Sequence, residues 1–203
     1  MVLPTHLLLA CCWILFCLLH SLLAATRVKK IIIPRLKKAG PYYRLFYTVF
    51  AAGSFGVVIA LQLSLTSPLL VQPGLSMFIA GIAGLLTGLI IMGICIRRYF
   101  FRLSGLRGLL QQDNSQVLLQ NGLHKYVRHP LYLGTFLFIW SLFLLFPSLS
   151  AAIANGIITL YTIAGARLEE QKLVEMFGPV YTNYRQKVPM FIPLPWKNHA
   201  GGN

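Results

Sequence analysis

Acidic side chains are almost missing from this chain: four carboxylates stand against 18 Lys and Arg in 203 residues, and charged residues of both signs make up 11%. A soluble globular domain carries about a quarter charged residues. With 57% hydrophobic residues and a mean hydropathy of +0.70, this chain cannot coat a soluble surface and reads as an integral membrane protein. Cysteine is also scarce. Cys11, Cys12, Cys17 and Cys95 fall inside apolar stretches without metal-ligand spacing, so they read as small packing residues and not as a disulfide framework or a thiolate site. No glycine loop follows a strand pattern, which removes a Rossmann-type nucleotide fold.

Five apolar stretches of helical length are present: Leu3 to Ala25, Tyr43 to Leu65, Gly74 to Ile96, Leu131 to Phe146 and Leu149 to Gly165. The last two are short. Only Pro147 and Ser148 separate them, so they predict a tight helical hairpin that need not cross the bilayer fully. The expected fold is all-α and polytopic, one domain over 1–203. Three spans occupy 1–100, a cytosolic connector 101–130, the hairpin 131–165 and a cytosolic C-terminal helical segment 166–203.

The basic residues orient these spans. Arg27 to Arg44 holds seven, Arg97 to Arg128 six and Arg167 to Lys197 five, whereas the N-terminus, Thr66 to Pro73 and the Pro147 turn hold none. The reading places the N-terminus outside and the C-terminus in the cytosol. Asp113, Glu169, Glu170 and Glu175 share the cytosolic side, where a polar reagent would be met. The first stretch lacks a basic n-region and exceeds an h-region in length, so it reads as a retained anchor. A net charge of +14 expresses this topology and attraction to anionic membrane lipids, and nucleic acid is not an expected partner.

Ala80, Gly84 and Gly88 form a small-residue stripe that predicts close helix packing and could serve a homodimer as readily as an internal contact. Tyr42, Tyr43, Tyr99, Phe100 and Phe101 read as an interfacial aromatic belt. His20 and Ser21 read as interfacial polar residues or the lining of an access path. The connector from Phe101 to Gly122 is long enough to suggest function, with Val117 to Leu119 as one wall of a pocket.

Chemistry concentrates in two motifs about forty residues apart. The first is Arg128-His129-Pro130-Leu131-Tyr132-Leu133-Gly134; the second is Arg167-Leu168-Glu169-Glu170, followed by Phe177-Gly178, Tyr181, Tyr184, Val188 and Pro189. Pro130 disfavours helix at His129, so Arg128 and His129 are expected at an extended corner with Tyr132 one turn into the hairpin. Helical spacing puts Leu173, Met176 and Phe177 within about 80° of Glu169, which places that carboxylate on an apolar face. There it needs a cation, supplied by Arg128, Arg167 or His129, or by a compact cationic ligand with a flat portion.

The full pattern, G-x(5)-R-H-P-x-Y-x-G and then R-x-E-E-x-x-L-x(3)-F-G-x-x-Y-x-x-Y-x(3)-V-P, resembles the membrane methyltransferases that include isoprenylcysteine carboxyl methyltransferases, phospholipid N-methyltransferases and bacterial methanethiol S-methyltransferase-like proteins. The resemblance runs from about Val117 to Pro193, with weaker support from His20-Ser21-Leu22, Lys29 and Tyr42-Tyr43-Arg44. It implies S-adenosyl-L-methionine as methyl donor and a small or lipophilic acceptor in a bacterial inner or plasma membrane. By matching positions, Gln116, Val117, Leu118, Leu119, His124, His129, Pro130, Leu131, Tyr132, Glu169 and Glu170 would bind the donor. Arg128, Arg167 and Glu169 are the candidate catalytic residues, with His124, His129 or Glu169 available if a base is used. Tyr181 and Tyr184 would pack the C-terminal segment over the pocket. The chain carries His124 where members commonly carry an aromatic, and Gly165 where prenylcysteine enzymes carry a substrate-binding Arg. The acceptor could therefore be a small thiol, a lipid amine or an isoprenoid acid. An NADPH-dependent membrane reductase and a non-enzymatic transport or assembly protein are the alternatives. No metal is expected, because His124, His129 and Glu169 lack helical ligand spacing.

Overall fold

The computed structural model describes residues 2–103 and 118–193, and these are helical throughout with short turns between. Helix α1 (Val2–Ala24) is followed, after one extended residue at Ala25, by α2 (Thr26–Arg35) and a 3-10 turn over Lys37–Tyr42. The long helices α3 (Tyr43–Ser64) and α4 (Leu75–Leu103) come next. The C-terminal half holds α5 (Pro130–Leu145), α6 (Leu149–Phe177) and α7 (Pro179–Lys187). Four helical stretches, Leu3–Ala24, Ala39–Ser64, Leu75–Arg98 and Leu149–Phe177, are long and apolar enough to cross a membrane, and α5 is a shorter apolar helix.

Two features depart from the sequence expectation. The fifth apolar stretch does not end at Gly165: the helix runs 29 residues from Leu149 to Phe177, so the first part of the second motif, Arg167 to Phe177, rides on the same rod. Nothing between Gly165 and Phe177 breaks a helix; the stop comes at Gly178, whose φ of 54° turns the chain before Pro179 opens α7. The basic stretch after α1, too polar to show as a span, folds into α2 and the 3-10 turn.

The core follows from the apolar faces of the long helices. Leu9, Trp13, Val58 and Ala154 pack where α1, α3 and α6 meet, flanked by Phe16, Ile59 and Ile158. Trp13 donates its indole N–H to the Gln62 amide oxygen at 2.9 Å, so the buried polar end of the ring is satisfied. The small-residue stripe is used within the chain. A Cβ on Gly88 would lie 2.8 Å from the Phe138 nitrogen and 2.9 Å from the Gly134 carbonyl oxygen, while one on Gly84 would strike the Ser141 hydroxyl. These glycines let α4 and α5 touch backbone to backbone. Gly81, against Leu145, completes the stripe in place of the exposed Ala80. At the end of the bundle with few charges, Leu69 and Ser148 pair their backbones, and Ser148 caps α6 by accepting from Ala151.

Tyr43 is a further departure. It is buried, and its hydroxyl donates to the Leu23 carbonyl at 2.8 Å, tying α3 to the end of α1. Tyr42 is exposed as an interfacial residue should be. The side chains of Tyr99, Phe100 and Phe101 lie outside the described residues.

Candidate functional site

The basic end of the bundle gathers the two motifs. His129 adopts φ −121° and ψ 68°, outside the helical region as the following proline dictates, and Pro130 then opens α5. The corner is stitched to the chain's C-terminal stretch by two successive backbone bonds, Arg128 N–H to Pro189 O at 2.9 Å and His129 N–H to Met190 O at 3.1 Å.

Arg128 fixes this corner from the side-chain direction. Its Nε donates to Glu170 Oε1 at 2.6 Å, and its Nη1 donates to the carbonyls of Arg185, at 3.0 Å, and Val188. His129 Nε2 lies 3.2 Å from the same Glu170 oxygen. The Arg128 and Glu170 side chains are 9% and 6% exposed, so this ion pair is removed from water and its charges compensate one another. Three of the five guanidinium donors are spent inside the protein.

Glu169 behaves differently from the expectation placed on it. The helical-spacing reading put Glu169 on the buried face, but the buried carboxylate is Glu170 and the Glu169 side chain is 49% exposed. The reason is that Met176, counted as part of the apolar face, is itself exposed, while Leu173, Val174 and Phe177 pack under the C-terminal tyrosines and centre the buried face near Glu170. Glu169 Oε2 accepts from the Tyr132 hydroxyl at 3.1 Å and lies 3.8 Å from His129 Nδ1. It keeps acceptor capacity that the described residues do not fill.

Aromatic rings line the space beside it. His129 and Tyr132 stack with centroids 5.4 Å apart and planes 9° apart, Phe191 lies 5.8 Å from His129, and Phe136 meets Phe191 edge-on at 5.2 Å. A carboxylate with free lone pairs next to flat faces suits a cation that also carries a planar group. Phe136 and Phe191 were not among the sequence candidates. Phe191 stands two residues after the Val188-Pro189 pair that closes the second motif, and that aromatic was the available signal.

The C-terminal segment closes over the corner as expected. Tyr181, Tyr184 and Val188 form a buried cluster with Leu118, Leu173, Val174 and Phe177. The Tyr184 hydroxyl donates to the His124 carbonyl at 2.6 Å, and His124 Nδ1 lies 3.0 Å from the Arg128 carbonyl. Burial pushes the His124 imidazole below its ordinary range, with Arg98 and His129 adding to the effect and the Arg128 carbonyl opposing it. The Tyr181 hydroxyl is buried without a well-aligned hydrogen bond among the described residues. Burial, and then the nearby Glu170 carboxylate, hold its phenol above the ordinary range.

The structure thus brings together Leu118, His124, Arg128, His129, Pro130, Tyr132, Glu169 and Glu170. Leu119 and Leu131 are half-buried alongside them in the chain. Arg167 does not join: it is exposed and makes no hydrogen bond or ion pair among the described residues. Gln116 and Val117 lie outside the described residues.

Comparison with known proteins gives the same direction. The chain is 41% identical over 73 residues to a methanethiol S-methyltransferase of Crocosphaera subtropica, covering 35% of this chain and 27% of that protein. It is 38% identical over 73 residues to methanethiol S-methyltransferase 1 of Bradyrhizobium diazoefficiens, covering 35% and 24%. With the protein-S-isoprenylcysteine O-methyltransferase of Schizosaccharomyces pombe the identity is 36% over 87 residues, covering 41% and 36%. The match therefore spans about a quarter to a third of the length of these curated relatives. No solved structure is similar enough to add to this. The family model described as "Protein of unknown function (DUF1295)" matches residues 34–188, about three-quarters of the sequence, and the chain belongs to that DUF1295 family.

Proposed function

We propose that this protein is an integral membrane methyltransferase that takes its methyl group from S-adenosylmethionine at the basic, cytosolic end of the bundle. The observation that carries this reading is the division of labour between neighbouring carboxylates. Glu170 is neutralised by Arg128 at 2.6 Å, and Glu169 stands half-exposed beside the His129–Tyr132 stack, with no cationic side chain closer than 3.8 Å among the described residues. A structural ion pair would have used both. The names of the relatives support the same reaction class, and they leave a thiol or a prenylcysteine carboxylate as acceptors to test.

The residues present fit such a donor. Glu169 would hold its positive portion, and Tyr132, His129, Phe191 and Phe136 would hold its flat portion. When bound, the donor supplies a methyl group on a sulfonium that a nucleophile can displace in line. The protein's part is positioning and exclusion of water. Arg128 and Glu170 fix the corner, and Tyr181 and Tyr184 anchor the closing segment. Tyr132 holds Glu169 by its hydroxyl.

Calorimetric titration of S-adenosylmethionine and S-adenosylhomocysteine into the protein in lipid nanodiscs tests this. Both should bind saturably; Glu169→Gln should weaken the sulfonium form at least tenfold and the uncharged sulfide less. Absence of binding by folded wild type would overturn the reading, and NADPH would be titrated next.

A further inference from the structure

A second polar cluster lies deeper in the bundle, where α1, α3 and α6 meet, and the donor site does not use it. The Tyr47 hydroxyl sits 3.1 Å from His20 Nδ1 and 3.0 Å from His20 Nε2. One oxygen cannot lie along both lone-pair directions of an imidazole, so at least one ring nitrogen keeps its bonding capacity. Ser21 donates to the Tyr161 hydroxyl at 2.9 Å, and the Tyr161 proton has no acceptor among the described residues. The His20 and Tyr161 rings meet edge-on with centroids 6.3 Å apart. An unfilled ring nitrogen and an unfilled O–H therefore stand side by side in a membrane-spanning region, where idle polar groups are costly. His20, Tyr47 and Tyr161 are half-buried, so the cluster is neither sealed in the core nor spread on the surface.

From this juxtaposition we infer that His20 and Tyr161 bind the head of the methyl acceptor, a neutral lipid-soluble thiol, with His20 receiving its proton. This rests on the methyltransferase reading above for the reaction, though not for the site. An S–H can donate to the His20 nitrogen while its sulfur accepts from the Tyr161 hydroxyl, which fills both vacancies at once. The other head groups fit less well. An ammonium would need a carboxylate, and none bonds to these four residues among the described ones. A carboxylate acceptor has no proton for His20 to take, and an alcohol is far too weak an acid for an imidazole. A cysteine-like thiol falls short of imidazolium acidity by about a hundredfold, and a simple alkanethiol by more, still far less than an alcohol. Tyr161 stands eight residues before Glu169 on α6, about 12 Å along the axis. The cluster therefore lies on the apolar side of the donor site along the same helix.

The step balances as follows. The acceptor S–H proton passes to the free His20 nitrogen and the acceptor sulfur forms a C–S bond to the methyl carbon. The donor's sulfonium–methyl bond breaks with its electron pair left on the donor sulfur. The imidazolium then releases its proton to solvent.

The test uses the full chain in nanodiscs with 1-decanethiol as probe and decyl methyl sulfide, which has no S–H, as comparator. Saturable thermal stabilisation by the thiol and not the sulfide is expected for wild type. In His20→Gln and Tyr161→Phe the apparent affinity for the thiol should fall at least tenfold, with S-adenosylhomocysteine binding within threefold of wild type. With labelled donor, His20→Gln should lose at least a hundredfold in kcat, whereas Tyr161→Phe should act mainly on KM. Equal responses to thiol and sulfide, or variants that bind and methylate the thiol as wild type does, would overturn the inference. If wild type binds the thiol with this variant pattern and binds no S-adenosylhomocysteine, the acceptor site stands and the donor reading falls.

Discussion

Replacing Arg128 by Met removes the guanidinium while keeping much of the side chain's apolar bulk. In the wild type that group makes a 2.6 Å bond to Glu170 and two bonds to the carbonyls of Arg185 and Val188, in surroundings where both charged side chains are under a tenth exposed. Breaking a buried pair by removing one partner costs about 3–5 kcal/mol. Here the loss is partly offset, because His129 Nε2 remains 3.2 Å from Glu170 and can donate to it. The lower figure, about 3 kcal/mol, is therefore the working estimate, and it falls on the docking of residues 185–190 against the corner. At 1.4 kcal/mol per tenfold it corresponds to roughly a hundredfold more opening. Hydrogen exchange of the Arg128 and His129 amides reads this directly, since their partners are the Pro189 and Met190 carbonyls. Exchange should accelerate about a hundredfold, while amides in α1 and α3 stay unchanged. Glu170→Gln should give a smaller effect, because the two carbonyls continue to solvate the guanidinium. Less than threefold acceleration in Arg128→Met would refute the idea that this ion pair holds the segment down.

Gly88→Ala should destabilise the protein by about 1–3 kcal/mol in thermal unfolding, because its methyl would press on the α5 backbone, whereas Gly93→Ala, with open space around it, should be neutral or stabilising. Tyr181→Phe should leave stability within about 0.5 kcal/mol or raise it, since the hydroxyl it removes has no aligned partner; Tyr184→Phe should cost about 1 kcal/mol through its 2.6 Å bond to the His124 carbonyl. His124 is held below its usual pKa of 6.5, so the unfolded chain takes up a proton that the folded one refuses as pH falls. Exchange protection around 123–129 should therefore weaken from about pH 6.5 downward, and His124→Asn, which keeps a donor for the Arg128 carbonyl, should abolish that dependence.

The apolar spans were readable because twenty-residue runs admit little else in a chain with so few charges, and the corner at His129 was readable because a proline restricts the residue before it. The choice between Glu169 and Glu170 was not. Adjacent helical positions differ by about 100°, and the apolar face was judged from Leu173, Met176 and Phe177, one of which faces out. What buries Glu170 is Arg128, 42 residues earlier, and no local periodicity reports such a partner. Tyr43 looked interfacial because it stands beside Arg44, and its carbonyl partner Leu23 belongs to another helix. Phe191 escaped notice since its role depends on how 188–191 folds back onto the corner.

Helix α5 is 16 residues long, about 24 Å, against a hydrocarbon thickness of about 30 Å. It is clamped to the longer α4 through Gly88 and Gly134 and so cannot slide to meet either surface. A span this short is expected to thin the lipids around it, so that the bilayer would dip where the charged corner sits. Such a dip would bring water to Glu169 and acyl chains to Tyr161, the two ends of the proposed reaction path. Methyl transfer, if it proceeds as proposed, should then track lipid chain length, falling in thick bilayers that fill the dip.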